Sequence, residues 1–188
     1  MASVPSSRLA HEQTILGSGS LRRQFGMSRP LDHLDIKILR LLQENATHSV
    51  ADIASKVGLS STPCWKRIQR LQMDGVITGR VALVDQEKIG LGLSVFVFIE
   101  AGEQTKEWQA SFAATLRGMP EVVEVYRLAG DYDYVLRVVV ADMKSFDRFY
   151  RRLIKTAELK NVTSRFAMEK IKAITALPVV PPPPQAAP

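Results

Sequence analysis

The sequence predicts an α+β chain whose N-terminal part is helical and whose C-terminal half is a sheet carrying two helices. Two observations lead to that prediction. Between Ser49 and Met73, apolar residues recur at helical spacing on either side of Gly58-Leu59. From Leu91 the apolar period shortens to two, and the elements then follow in the order strand, helix, strand, strand, helix, strand.

The N-terminal elements carry their own start and stop signals. Leu31-Asp32-His33-Leu34-Asp35 opens a first helix with Asp32 as N-cap and Asp35 at N3, and Leu34, Ile38, Leu41 and Leu42 make its buried stripe. Ser49 followed by Asp52 is a capping box for a second helix, which Gly58 ends in the left-handed conformation. A third helix is expected to start with Thr62 as N-cap and Pro63 at N1. Within it Cys64, Ile68 and Leu71 face inward, leaving Trp65, Lys66, Gln69 and Arg70 pointing out. After Asp74-Gly75, the run Val81-Ala82-Leu83-Val84 is expected to form a strand or wing.

Two short helices hinged at a glycine are also an ordinary helical hairpin with a solvated face. The neighbouring helix and wing favour a winged helix-turn-helix, with the third helix lying in a DNA major groove. Arg and Lys reach guanine edges or phosphates, Gln pairs with adenine, and the hydroxyls of Ser60, Ser61 and Thr62 suit phosphates. The candidate DNA-binding set is therefore Ser60, Ser61, Thr62, Trp65, Lys66, Gln69 and Arg70, with double-stranded DNA as partner.

Composition supports this reading without deciding it. The 188 residues are 46% hydrophobic, enough for two small domains, and the net charge of +6 suits a polyanionic partner. From Ser60 to Arg80, Lys66, Arg67, Arg70 and Arg80 stand against Asp74, which concentrates that excess. One cysteine excludes an internal disulfide and a cysteine-based zinc cluster, and Cys64 reads as core packing rather than a redox sensor. No metal site is expected, and no stretch reads as a membrane span or secretory signal, so the expected location is the cytoplasm. The expected organisation is a flexible arm over 1–28, a DNA-binding domain over 29–80, a hinge over 81–90, a second domain over 91–177 and a proline-rich tail over 178–188.

In the second domain Leu93, Val95, Val97 and Ile99 alternate with Ser94, Phe96 and Phe98 as a strand. A helix is expected over about 107–117, strands over 122–129 and 134–140, a helix over 143–154 and a last strand over 162–168. That is the ferredoxin-like arrangement, with helices on one face of a four-stranded antiparallel sheet. The other face would be apolar and need a cover, most simply the same sheet of a second copy. RNA-recognition modules share the fold, but the strand Tyr134-Val135-Leu136-Arg137-Val138-Val139-Val140 is aliphatic where bases would stack. On pattern alone Gly130-Asp131-Tyr132-Asp133-Tyr134 is a tight hairpin. The same loop offers carboxylates, N–H groups and rings to a free amino acid.

Together, Leu31-Asp32 through Ile38-Leu39, Val57-Gly58-Leu59-Ser60, Thr62-Pro63-Cys64, Arg67-Ile68, Leu71, Gly75-Val76-Ile77 and Gly130-Asp131-Tyr132-Asp133-Tyr134 resemble the Lrp/AsnC (leucine-responsive/asparagine-regulator, feast–famine) transcription factors, over about residues 29–177. The resemblance implies a DNA-binding regulator of amino-acid metabolism that dimerises, assembles dimers into octamer-like rings and binds an amino acid between dimers. It implies DNA contact within Ser60 to Arg70 and an effector site at Gly130, Asp131, Tyr132 and Asp133, completed by Ser164 and Phe166 from a neighbouring dimer. The closing run from Phe166 to Pro178 is similar to members controlling amino-acid catabolism. No catalytic residue and no cofactor beyond a small-molecule effector are expected. The alternatives are an amino-acid-sensing oligomer acting through protein partners without DNA, and a small enzyme using Asp131 and Asp133.

Overall fold

A computed structural model describes residues 30–102, 105–156 and 158–180. The expected arm over 1–28 and the run Pro181–Pro184 lie outside the described residues. The chain forms two compact units, one comprising the described residues through Val81 together with those from Ile174 onward, the other running from Ala82 to Ala173.

The first unit is built from α1 (His33–Glu44), α2 (Val50–Val57) and α3 (Ser61–Met73). Asp32 caps α1 by accepting from the N–H groups of Leu34 and Asp35, and the Asp35 carboxylate returns to the Asp32 N–H. Ser49 and Asp52 close the same box on α2, which ends at Gly58 with φ +74°. Their packed faces meet α3 in a core of Ile38, Leu39, Ile53, Ala54, Val57, Cys64, Ile68 and Leu71. On α1, Leu34, Leu41 and Leu42 flank this core and Leu39 enters it, so the buried stripe is rotated from the expected one.

Two features differ from the expected ones. The N-cap of α3 is Ser60, not Thr62, and Pro63 occupies N3 rather than N1. Proline is tolerated there because first-turn N–H groups have no partner inside the helix. Residues 78–85 form no strand within the protomer, and Val81, Leu83 and Val84 are exposed. Ladder hydrogen bonds need a neighbouring strand, and this segment has none within the chain's described residues.

The second unit contains β1 (Leu93–Ala101), α4 (Lys106–Arg117), β2 (Val122–Arg127), β3 (Tyr134–Val140), α5 (Met143–Thr156) and β4 (Leu159–Phe166). The strands lie in the order β2-β3-β1-β4 and every pair is antiparallel. Val95, Val97, Ile99 and Ala101 of β1 and Tyr134, Leu136, Val138 and Val140 of β3 share a core with Phe112 and Leu116 of α4 and Phe146, Phe149 and Leu153 of α5. The last strand begins three residues before the expected start, because Leu159 pairs with Ala101 across a bulge at Glu100/Ala101. The opposite sheet face is mixed rather than purely apolar. Phe96 is 38% exposed and Tyr126 56%, while Arg137 pairs with Glu124 at 2.8 Å and Arg165 lies over the Phe98 ring at 6.0 Å.

Candidate nucleic-acid interface and effector site

On α3, Thr62, Trp65, Lys66 and Gln69 follow the i, i+3, i+4, i+7 rule and occupy one face. Trp65 is 49% exposed and Lys66 is exposed, as are Ser60, Ser61 and Thr62 at the helix start. The Ser60 hydroxyl makes no capping bond, so the first turn presents hydroxyls and N–H groups at the positive end of the helix dipole. Gln69 is half-buried and its amide donates to Gln72 Oε1 at 3.2 Å.

Arg70 differs from the rest of the expected set. Its Nη2 donates to Asp35 Oδ2 at 2.5 Å, and Asp35 is fully buried. Arg67 Nη1 donates to Asp35 Oδ1 at 2.8 Å and to Asp32 Oδ2 at 2.6 Å. The two arginines thus clamp the start of α1 onto the flank of α3, and on the exposed α3 face Lys66 carries the outward charge. Burial raises the Asp32 pKa, but the Asp35 N–H and the Arg67 guanidinium outweigh it and bring the value down to about 2. Neither the buried Asp35 nor its link to Arg67 was expected. The available signal was an acid at N3 of one helix and two cations three apart on another, which does not by itself indicate that they meet.

Burial pushes the Cys64 thiol upward, away from thiolate reactivity. Among the described residues, no group of three or more His, Cys, Asp or Glu is placed to hold a metal, and no helix is long and apolar enough to cross a membrane.

In the second unit the hairpin between β2 and β3 turns at Gly130, where φ is +143°, and closes with the Leu128 N–H donating to Asp133 O at 2.8 Å. Asp133 is bound into the sheet. Its Oδ2 accepts from the Ala101 N–H at 2.8 Å, and its own N–H donates to Ile99 O at 2.8 Å. Asp131 is exposed, and the Tyr132 ring meets Phe98 at 5.3 Å. Nearby, Lys160 pairs with Glu100, whose hydrogen bond and charge raise the lysine pKa.

Ser164 and Phe166 are elsewhere. They line an open groove of about 380 Å³ between α5 and β4, together with Met143, Phe146, Asp147, Tyr150 and Val162. Phe166 pairs with Val95, whereas the Asp133 carboxylate sits at Ala101, about 20 Å further along β1 at ~3.4 Å per residue. One protomer therefore does not bring the two halves of the expected effector set together.

A three-helix unit with an exposed polar face bearing Lys66, joined to a ferredoxin-like unit with an open groove, is the architecture of a DNA-binding protein that carries a second, separate domain. Residues 31–78 match the family described as winged helix-turn-helix DNA-binding, and residues 94–177 match the Lrp/AsnC ligand binding domain. The chain is 51% identical over 150 residues to the DNA-binding transcriptional activator DecR of Escherichia coli K12, covering 79% of this chain and 99% of that one. It is 47% identical to the glutamate uptake regulatory protein of Zymomonas mobilis, covering 81% and 93%. Among solved structures, an AsnC family transcriptional regulator from Agrobacterium tumefaciens aligns with a TM-score of 0.76 at 53% identity, covering 79% and 97%. A Neisseria meningitidis regulator solved in complex with L-Met aligns with a TM-score of 0.74 at 34% identity, covering 79% and 96%. The chain belongs to the Lrp/AsnC family of DNA-binding transcriptional regulators.

Proposed function

We propose that this regulator controls genes of amino-acid metabolism by binding their promoters as an assembly of dimers whose geometry responds to a free amino acid. The observation that carries this reading is the pairing, in one chain, of an exposed α3 face with a separate groove suited to a small molecule. Ser60, Ser61 and Thr62 contact phosphate, and Trp65, Lys66 and Gln69 face the groove of the DNA. Arg70 acts chiefly by holding α3 against Asp35.

For the effector, the α5–β4 groove supplies the Asp147 carboxylate for an ammonium group, the Ser164 hydroxyl, and Phe146, Tyr150 and Phe166 for an apolar side chain. The Gly130–Asp133 hairpin of another copy supplies the remaining contacts, which accounts for the separation of the two halves within one protomer. A relative bound to L-Met supports an amino acid as the ligand class. The mixed sheet face bearing Phe96, Phe98 and Tyr126 is covered by a second copy, and dimers assemble further into a ring. The protein works by binding, without a catalytic step or metal, in the cytoplasm where its DNA lies. Asp133, which the enzyme alternative needs as an acid or base, is committed to the Ala101 N–H.

The test is a titration of DNA from upstream of the protein's own gene, at fixed salt, with and without each common amino acid. A sequence-selective complex whose midpoint is moved by one amino acid supports the reading. Selective binding that no amino acid alters removes the effector half of it.

A further inference from the structure

The segment from Ile174 to Val180 has no regular secondary structure, yet it is held against α1 by specific contacts. The Gln43 side-chain amide grips both polar groups of Leu177: the Leu177 N–H donates to Oε1 at 2.7 Å, and Nε2 donates to the Leu177 carbonyl at 3.1 Å. Arg40, one turn earlier on the same side of α1, donates from Nη2 to the Val179 carbonyl at 3.0 Å. Val179 packs on the three-helix core. Pro178 has no N–H to leave unpaired and biases Leu177 toward an extended conformation, which lowers the ordering cost of such a strap. By sequence, residues 174–177 fall within the ligand-binding family match, but by contact they belong to the DNA-binding unit. The effector domain was expected to run to residue 177 and a free tail to begin at 178; both pieces instead contribute to the strap.

The chain therefore joins the two units twice, at Val81/Ala82 and at Ala173/Ile174. The second connection starts from β4, the strand that supplies Ser164 and Phe166 to the groove, and reaches the strap without any intervening helix or strand. Among the described residues every strap hydrogen bond goes to α1 and none to α3, so the strap holds the DNA-binding unit without occupying its DNA-facing surface.

We infer that Ile174–Val180 is an in-cis tether through which occupancy of the α5–β4 groove is communicated to the DNA-binding unit. This rests on the proposed amino-acid site. A ligand that moves β4 changes the pull on α1, and α1 is clamped to α3 through Asp35, Arg67 and Arg70. The strap thus couples the two ligands.

The experiment compares the full chain, a chain ending at Ala173 and the point variant Gln43→Ala. Each is titrated with promoter DNA in the presence and absence of the amino acid that shifts the full chain. Hydrogen exchange over α1 serves as a second readout. Coupling between sites is commonly about 5–150-fold in affinity. The expected result is that both variants bind DNA within about threefold of the full chain in the absence of amino acid, that their response to it falls to less than about twofold, and that α1 exchanges faster. Variants that keep the full response overturn the tether. If the full chain itself responds to no amino acid, the effector reading fails first, and with it the basis of the coupling; unchanged exchange of α1 in the variants then also removes the strap as a structural element.

Discussion

Asp35 sets the electrostatics of the DNA-binding unit. It is fully buried and held by two guanidinium groups, so removing it leaves Arg70 without this carboxylate and Arg67 with Asp32 alone. Asp35→Ala is expected to destabilise this unit by about 2–3 kcal/mol in denaturant unfolding, below the range for a fully buried pair because both arginines keep some solvent access and Arg67 keeps Asp32. Lys66, by contrast, is exposed and points outward. Lys66→Ala is expected to leave stability unchanged and, as a groove-facing contact, to cost about 1–3 kcal/mol of binding to the selected DNA with a smaller loss on unrelated DNA. Arg70→Ala should lower stability more than it alters selectivity, and the two variants together separate the reading role from the clamping role. Asp32 adds a pH signature. Its folded pKa is lowered to about 2 from an ordinary 3.8, so its contribution is complete above about pH 4 and is lost as pH falls toward 2. The melting-temperature gap between the wild type and Asp32→Asn should narrow across that window.

At the scale of elements, what could be read from the sequence was what is encoded locally. The Asp32/Asp35 and Ser49/Asp52 boxes and the turn at Gly58 lie within a few residues of the helices they bound, and all three form as read. Gly58 has open space where a Cβ would sit, so Gly58→Ala carries only the left-handed backbone penalty, and unfolding experiments should show a loss of about 1–2 kcal/mol. The start of α3 was misplaced because Ser60 and Thr62 are both good caps and proline fits anywhere in the first turn. The wing over Val81–Val84 is suggested by an apolar run after the Asp74-Gly75 break, but a strand exists only with a partner, and the run does not show whether one is present. The strap was not legible at all. Leu177-Pro178-Val179 carries no periodic signal, and its partners on α1 lie 134 and 139 residues away in the chain. The site divided in the same way: the α3 face followed from helical spacing, whereas the Asp35 clamp and the separation of Asp133 from Phe166 depend on tertiary placement.

At the scale of the whole molecule, one chain carries both a DNA-binding domain and a ligand-binding domain. DNA reading is proposed for α3, and amino-acid sensing for a groove and a hairpin that must come from different copies to meet. In that proposal assembly is part of the mechanism. The sheet face carrying Phe96 and Phe98 is the proposed contact between copies, and Phe96→Lys should shift the protein to smaller species in sedimentation velocity. The most direct measurement of the central claim is the affinity of the purified full chain for its own upstream DNA, at one salt concentration, as each common amino acid is added in turn. The account requires a selective complex whose midpoint moves by roughly fivefold or more with one amino acid. A selective complex indifferent to all of them, or no selective complex under any condition, would contradict it.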